Sequence, residues 1–288
     1  MQSRWLILSA LFAVMLGISS VDASAQAPIR GGTLTVGFAA DTKTLDPALS
    51  VQFSERQVLY MIFNTLVRYA PDFSIKPELA QSWEIKNAGK QIVFKLRQGV
   101  TFHDGTAFDA NAVKWNIEHR LDPAADSPQR QQLAPIIESV EALDATTVAF
   151  NLKQPAPGLL GLLGERPGFM MSPAAVKKFG KEFGSNPVGT GPFIFKEWTR
   201  GSNITVERNP SYWESGKPYL DRVVFRDISD AVVGTQRLIT NELDFVAELS
   251  PTSVAPLRGR AGLKLLPITV GRWYSLQWRT DKPPFDNA

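Results

Sequence analysis

The 288-residue chain contains no cysteine and only two histidines, His103 and His119. The first absence excludes disulfides, thiolate metal sites and a lipid-modified cysteine at an export junction. An exported domain of this size can do without disulfides, because its core is large enough to outweigh chain entropy unaided. The histidines lie sixteen residues apart, with neither His-Glu-x-x-His spacing nor a thiol partner. Gly-x-Ser-x-Gly and Gly-x-Gly-x-x-Gly are both missing, which argues against a serine hydrolase elbow and a dinucleotide loop. Neither charge sign dominates: 31 basic and 28 acidic residues leave a net charge of +3, and their interspersion gives no stripe for nucleic acid. No cofactor is expected, and no metal.

Long apolar runs are scarce too. The run from Trp5 to Ile18 is shorter than the roughly twenty residues that cross a bilayer. Arg4 precedes it, and small residues at Ala23 and Ala25 suit a signal peptidase. Residues 1–25 therefore read as a signal peptide cleaved after Ala25. The mature protein is expected to be exported and soluble, without a lipid anchor.

What the chain does have is alternation. Trp83 and Ile85, then Ile92, Phe94 and Leu96, flank Asn87-Ala88-Gly89-Lys90 and predict a β-hairpin. The turn His103-Asp104-Gly105 leads to Asp109, whose carboxylate is placed to cap a helix starting at Ala110 and presenting Val113, Ile117 and Leu121 on one face. Earlier, Thr33–Phe38 reads as a first strand. Ser54 with Gln57 reads as a capping box, opening a helix with Val58, Met61, Ile62 and Leu66 on its apolar face. Later, 137–143 and 147–152 form a second hairpin, and Phe193, Phe195 against Ile204, Val206 a third. Tyr219–Ile228, a helix capped by Asp230 over 232–238, and Leu243–Val246 make a strand-helix-strand unit that needs a parallel crossover. Leu263–Ile268 and Trp273–Trp278 read as further strands. The glycines of Gly189-Thr190-Gly191 invite a phosphate-loop reading, but no Gly-Lys-Ser/Thr follows.

Five stretches carry a family resemblance. Ser82-Trp83-Glu84, the run from Phe94 to Gly105 (FKLRQGVTFHDG) and 110–115 (ANAVKW), followed later by Asn186–Phe195 (NPVGTGPFIF) and 204–213 (ITVERNPSYW), resemble the family 5 solute-binding proteins. These are extracytoplasmic receptors of peptide, dipeptide, glutathione and nickel ABC importers. The resemblance implies an α/β, periplasmic-binding-protein-like fold (type II, three-lobed cluster C). On that reading 26–71 and 187–262 make lobe I, 72–186 an inserted, hairpin-rich lobe II, and 263–288 hinge strands with the start of a third lobe. It also implies a receptor about twice this length, of which the chain is expected to be the amino-terminal part.

Ligand should lie between lobes, where two half-sites become one on closure. Strand ends and exposed helix starts supply polar donors there, and the resemblance implies the same places: Ser50–Arg56, Glu165–Gly168 and Gly271–Tyr274. Phe53 and Tyr274 are candidates to stack on a ligand, Arg56 and Arg166 to grip a carboxylate through charge-assisted forks, and Trp273 to wall the cleft. Arg166 also has a local alternative partner in Glu165. The expected protein is a monomeric periplasmic receptor, not an enzyme, for a peptide or peptide-like solute. It would serve an ABC permease and ATPase. The alternatives are a secreted α/β hydrolase, or a periplasmic chaperone on the same scaffold that would show a broad apolar groove.

Overall fold

A computed structural model describes residues 28–38, 42–246 and 249–267. In chain order these form β1 (Thr33–Phe38), α1 (Phe53–Ile62), β2 (Val67–Tyr69), β3 (Ile75–Pro77), β4 (Ala80–Lys86), β5 (Gln91–Leu96), α2 (Ala110–Leu121), β6 (Ile137–Asp144) and β7 (Thr147–Leu152). Then follow β8 (Phe193–Thr199), β9 (Asn203–Arg208), β10 (Arg222–Asp227) and β11 (Phe245–Val246), with several short helices between.

The strands make two main sheets, and β2 and β3 pair as a small ribbon. In the first sheet the order is β11-β1-β10-β9-β8; β1 runs parallel to both of its neighbours, and β8, β9 and β10 run antiparallel. The strand-helix-strand unit is present, but β1 sits between its two strands, so the crossover helix Ala231–Ile239 spans a strand from the other end of the chain. The second sheet, β4-β5-β7-β6, is antiparallel throughout.

Each sheet has its own core. Val36 and Phe38 of β1, Ile204, Val206, Val223 and Phe225 pack with Val58, Leu59 and Ile62 of α1. Those three helix residues are fully buried, each worth about 1.5–3 kcal/mol relative to exposure. In the second core Ile92, Phe94 and Leu96 of β5 meet Val148 and Phe150 of β7, with Val113 and Ile117 of α2 above them. Phe94 and Phe150 stand edge to face at 5.2 Å. The expected cap is in place, Asp109 accepting from the Ala112 N–H at 2.8 Å.

The two cores are joined by polar contacts that leave little freedom at the joint. Asn64 donates to Glu78 (2.9 Å) and accepts from Trp213 (3.0 Å), while its carbonyl takes the Met170 N–H (3.0 Å). The Arg120 guanidinium, wholly buried, donates to the carbonyls of Asn116 (2.8 Å) and Phe169 (2.6 Å). Burial pulls it down to about 10, so it stays cationic, and the charge of Asp46 supports it. The His103 N–H donates to the Gly189 carbonyl at 2.8 Å, and its ring lies between the Gly189 N–H and the Gly191 carbonyl. Gly191 in turn donates to Ile62 at the end of α1 (2.8 Å), and a Cβ on Gly189 or Gly191 would run into the Ile62 carbonyl. These glycines serve close backbone approach and not phosphate binding.

Several expectations need correcting. The helix cap is Gln52 rather than Ser54, and its reciprocal partner is Glu55 rather than Gln57: the Glu55 carboxylate accepts the Gln52 N–H at 3.0 Å. Two overlapping box patterns occur in the sequence, and the loop before α1 selects the earlier one. The strands at 219–228 and 243–246 shorten to 222–227 and 245–246. Residues 263–267 form no strand. Ile85 is 55% exposed because β4 is a sheet edge. The signal peptide and the strand at Trp273–Trp278 lie outside the described residues.

Candidate functional site

Glu55 organises the start of α1. Its side chain is 1% exposed, and its carboxylate accepts from the N–H groups of Lys43, Thr44, Val51 and Gln52 and from the Ser50 hydroxyl, all at 2.9–3.2 Å. A carboxylate so surrounded fixes two stretches of loop that have no regular structure of their own. From the other side, Ser127 donates to the Ala48 carbonyl and Gln129 to the Pro47 carbonyl. The loop before the helix is thereby held from two elements, and Leu49, Val51 and Phe53 point outward, 42%, 65% and 43% exposed.

The turn Arg166–Gly168 docks against this helix start. The Arg166 guanidinium donates to the Gln52 carbonyl at 2.6 Å, with its Nε 3.4 Å from the Ser50 hydroxyl. Burial, and then the nearby Arg56 charge, lower its affinity for its proton. Glu165 pairs with Arg56 rather than with Arg166, at 2.7 Å, and both side chains remain about 30% exposed (28% and 31%). The Arg56 guanidinium also lies 4.9 Å from the centre of the Phe53 ring, a cation-π geometry. One turn further along, the Tyr60 hydroxyl donates to the Gly164 carbonyl (3.0 Å), and burial with the Glu165 charge raises its pKa.

The structure thus gathers Phe53 and Arg56 with Arg166, which lies more than a hundred residues away in sequence, into one patch at the amino-terminal end of α1. Trp273 and Tyr274 lie outside the described residues. Sequence reasoning missed Glu55 and the role of Glu165. The only local signal for Glu55 was the Gln-x-x-Glu spacing; its other partners arrive through tertiary structure.

Nothing in this patch forms a nucleophile-base pair. The His103 ring is engaged by Gly189 and Gly191, and His119 stacks on Trp115 at 4.8 Å. Ser172, fully buried, caps the helix Pro173–Phe179 and donates to the Asp104 carboxylate. Among the described residues no group of three or more His, Cys, Asp or Glu side chains is placed to hold a metal ion, and no helix is long and apolar enough to cross a membrane. A hollow of about 410 Å³ beside Gly32 and Thr33 is lined by Arg208, Asp221, Glu207 and Arg222, which pair with one another at 2.7–2.8 Å.

Comparison with known proteins is consistent across sequence and structure. A family model described as bacterial extracellular solute-binding proteins, family 5, middle, matches residues 74–288. The glutathione-binding protein GsiB of Escherichia coli O1:K1 is 32% identical over 276 residues, covering 95% of this chain and 53% of the relative. The chain spans about half the length of the curated relatives it matches. Among solved structures, the periplasmic binding protein DppA of Helicobacter pylori in complex with the peptide STSA superposes with a TM-score of 0.75 at 30% identity, over 81% of this chain and 50% of that one. The binding protein AgaA of A. tumefacien R10, in complex with agropinic acid, gives a TM-score of 0.74 at 34% identity over 78% and 46%.

Proposed function

The chain belongs to the bacterial extracellular solute-binding proteins of family 5, and from that premise we propose that the protein is the periplasmic receptor of an ABC importer, capturing a peptide or peptide-like solute such as a dipeptide, an oligopeptide or glutathione. Residues 1–25 direct export and are removed. Residues 26–71 and 187–262 form lobe I, 72–186 the inserted lobe II, and 263–288 lead through a hinge into a third lobe. Ligand enters the open cleft and shifts the population towards the closed form, for which it has the higher affinity. The closed monomer then docks on the permease and its ATPase, and no covalent step is involved.

The observation that carries this reading is the patch at the start of α1. An exposed aromatic ring, a guanidinium stacked beside it and a second guanidinium behind are held by a loop that Glu55 and Gln129 make rigid. Phe53, Arg56 and Arg166, with Trp273 and Tyr274 from the hinge, form the proposed ligand-facing set. The likenesses to a glutathione-binding and a peptide-bound protein support the solute class. An opine is the second reading, favoured by the likeness to the agropinic acid complex.

A thermal-shift screen of the full-length mature protein tests the proposal, with dipeptides, oligopeptides, glutathione, nickel-histidine and an opine as probes. A ligand at a hundred times its Kd adds about 2.7 kcal/mol of stability, several degrees of Tm. A shift with a peptide or glutathione is expected. A shift only with the opine would replace the solute class, and stability unchanged by every probe would count against a receptor.

A further inference from the structure

Four charged side chains meet at the start of α1, and two of them, Glu55 and Arg166, differ from the other two, Arg56 and Glu165, in how far they are already committed. Glu55 is buried and receives five hydrogen bonds. Arg166 is spent on the Gln52 carbonyl and the Ser50 hydroxyl. The Arg56–Glu165 pair is instead joined through one nitrogen, Nη1, and one oxygen, Oε2, with both partners partly open to solvent. A part-exposed pair of this kind adds little to stability. Exchanging it for two new ion pairs with a ligand therefore costs little, whereas drawing on Glu55 or Arg166 would dismantle the loop.

We propose that Glu165 is a specificity-determining residue, and that the Arg56–Glu165 pair opens to take a solute whose ammonium and carboxylate sit on one carbon, an α-amino-acid head. This rests on the receptor reading given above and names the part of the solute that this side of the cleft recognises. The geometry supplies the argument. Two opposite charges 2.7 Å apart are matched by a ligand whose own opposite charges are equally close, with carboxylate on Arg56 and ammonium on Glu165. The termini of a linear dipeptide are carried on different Cα atoms, about 3.8 Å apart before the terminal bonds are added, and span the pair poorly. Guanidinium to carboxylate is the fork that fixes orientation. Phe53, exposed and stacked on the same guanidinium, lies where the methylenes beyond that head would rest. Neither charge alone would give this preference, because a lone arginine accepts any carboxylate.

The isomers γ-Glu-Gly and α-Glu-Gly separate the proposal from its alternatives, since they have the same atoms and formal charges. Only the γ-isomer carries ammonium and carboxylate on one carbon. Titration calorimetry on the full-length mature protein is expected to show γ-Glu-Gly binding at least about tenfold more tightly. In Glu165→Gln the ratio should fall to within about twofold, with Glu165→Asp restoring part of it. Equal affinities in the wild type would overturn the proposal without any variant being needed. So would a Glu165→Gln protein that weakens both isomers alike, which is what a merely structural role predicts. If neither isomer binds, the proposal falls; the receptor reading then stands or falls by the thermal-shift panel, which tests other solutes.

Discussion

His103 offers a quantitative test of the joint between the two cores. Its ring can satisfy both neighbours in one form only: neutral, with Nε2–H donating to the Gly191 carbonyl at 3.0 Å and Nδ1 accepting the Gly189 N–H at 3.4 Å. A proton on Nδ1 would set two donors face to face. Burial accordingly pushes the group down from 6.5 to about 4, against smaller opposing contributions from the Gly191 bond and Asp104. The unfolded chain takes up its proton near 6.5 and the folded chain only near 4. The contribution is thus complete above pH 6.5 and is lost as pH falls from 6.5 to 4. At about 1.4 kcal/mol per pH unit, that interval amounts to about 3 kcal/mol. Urea unfolding at half-unit steps from pH 7.5 to 4, on wild type and His103→Gln, isolates the effect. The carboxamide can still accept from Gly189 and donate to Gly191, but it does not titrate. His119, lowered by burial, acts in the same direction. Asp46 and Glu78, raised by burial, act in the opposite direction. All three cancel in the comparison. The stability of wild type minus that of the variant is expected to fall by about 3 kcal/mol between pH 6.5 and 4, and profiles that run parallel over that interval would refute the reasoning.

Glu55→Gln places an amide donor against five donors and should cost about 1–3 kcal/mol in urea unfolding, with faster hydrogen exchange confined to residues 43–52. Gly191→Ala drives a methyl into the Ile62 carbonyl and is expected to cost about 1–3 kcal/mol. Gly158→Ala, where nothing lies within 4 Å of the added carbon, should change stability by less than about 0.5 kcal/mol.

Local pattern was legible in the sequence wherever local physics decided it. β1 occupies the residues its alternation predicts, Asp109 and Asp230 cap the helices that follow them, and the hairpins at 80–96, 137–152 and 193–208 form as read. What the sequence left open depends on parts of the chain that meet only in three dimensions. The placement of β1 between β10 and β11 is one instance, since no local signal says which strand will be a neighbour. Ile85 is another: alternation placed it with the buried residues, and only sheet order makes β4 an edge. At the site, Arg166 beside Glu165 suggested a local pair, yet the 3-10 turn aims the glutamate at Arg56 and sends the arginine to Gln52. Adjacent residues in a turn point to different partners, and charge alone does not say which.

The most direct test of the account's central claim is hydrogen exchange on the full-length mature protein, with and without the solute that gives the largest thermal shift. Slowed exchange concentrated at residues 50–56 and 164–168 is the predicted result, because closure over the start of α1 must bury those amides. A bound solute that leaves both segments unchanged while protecting others would contradict it.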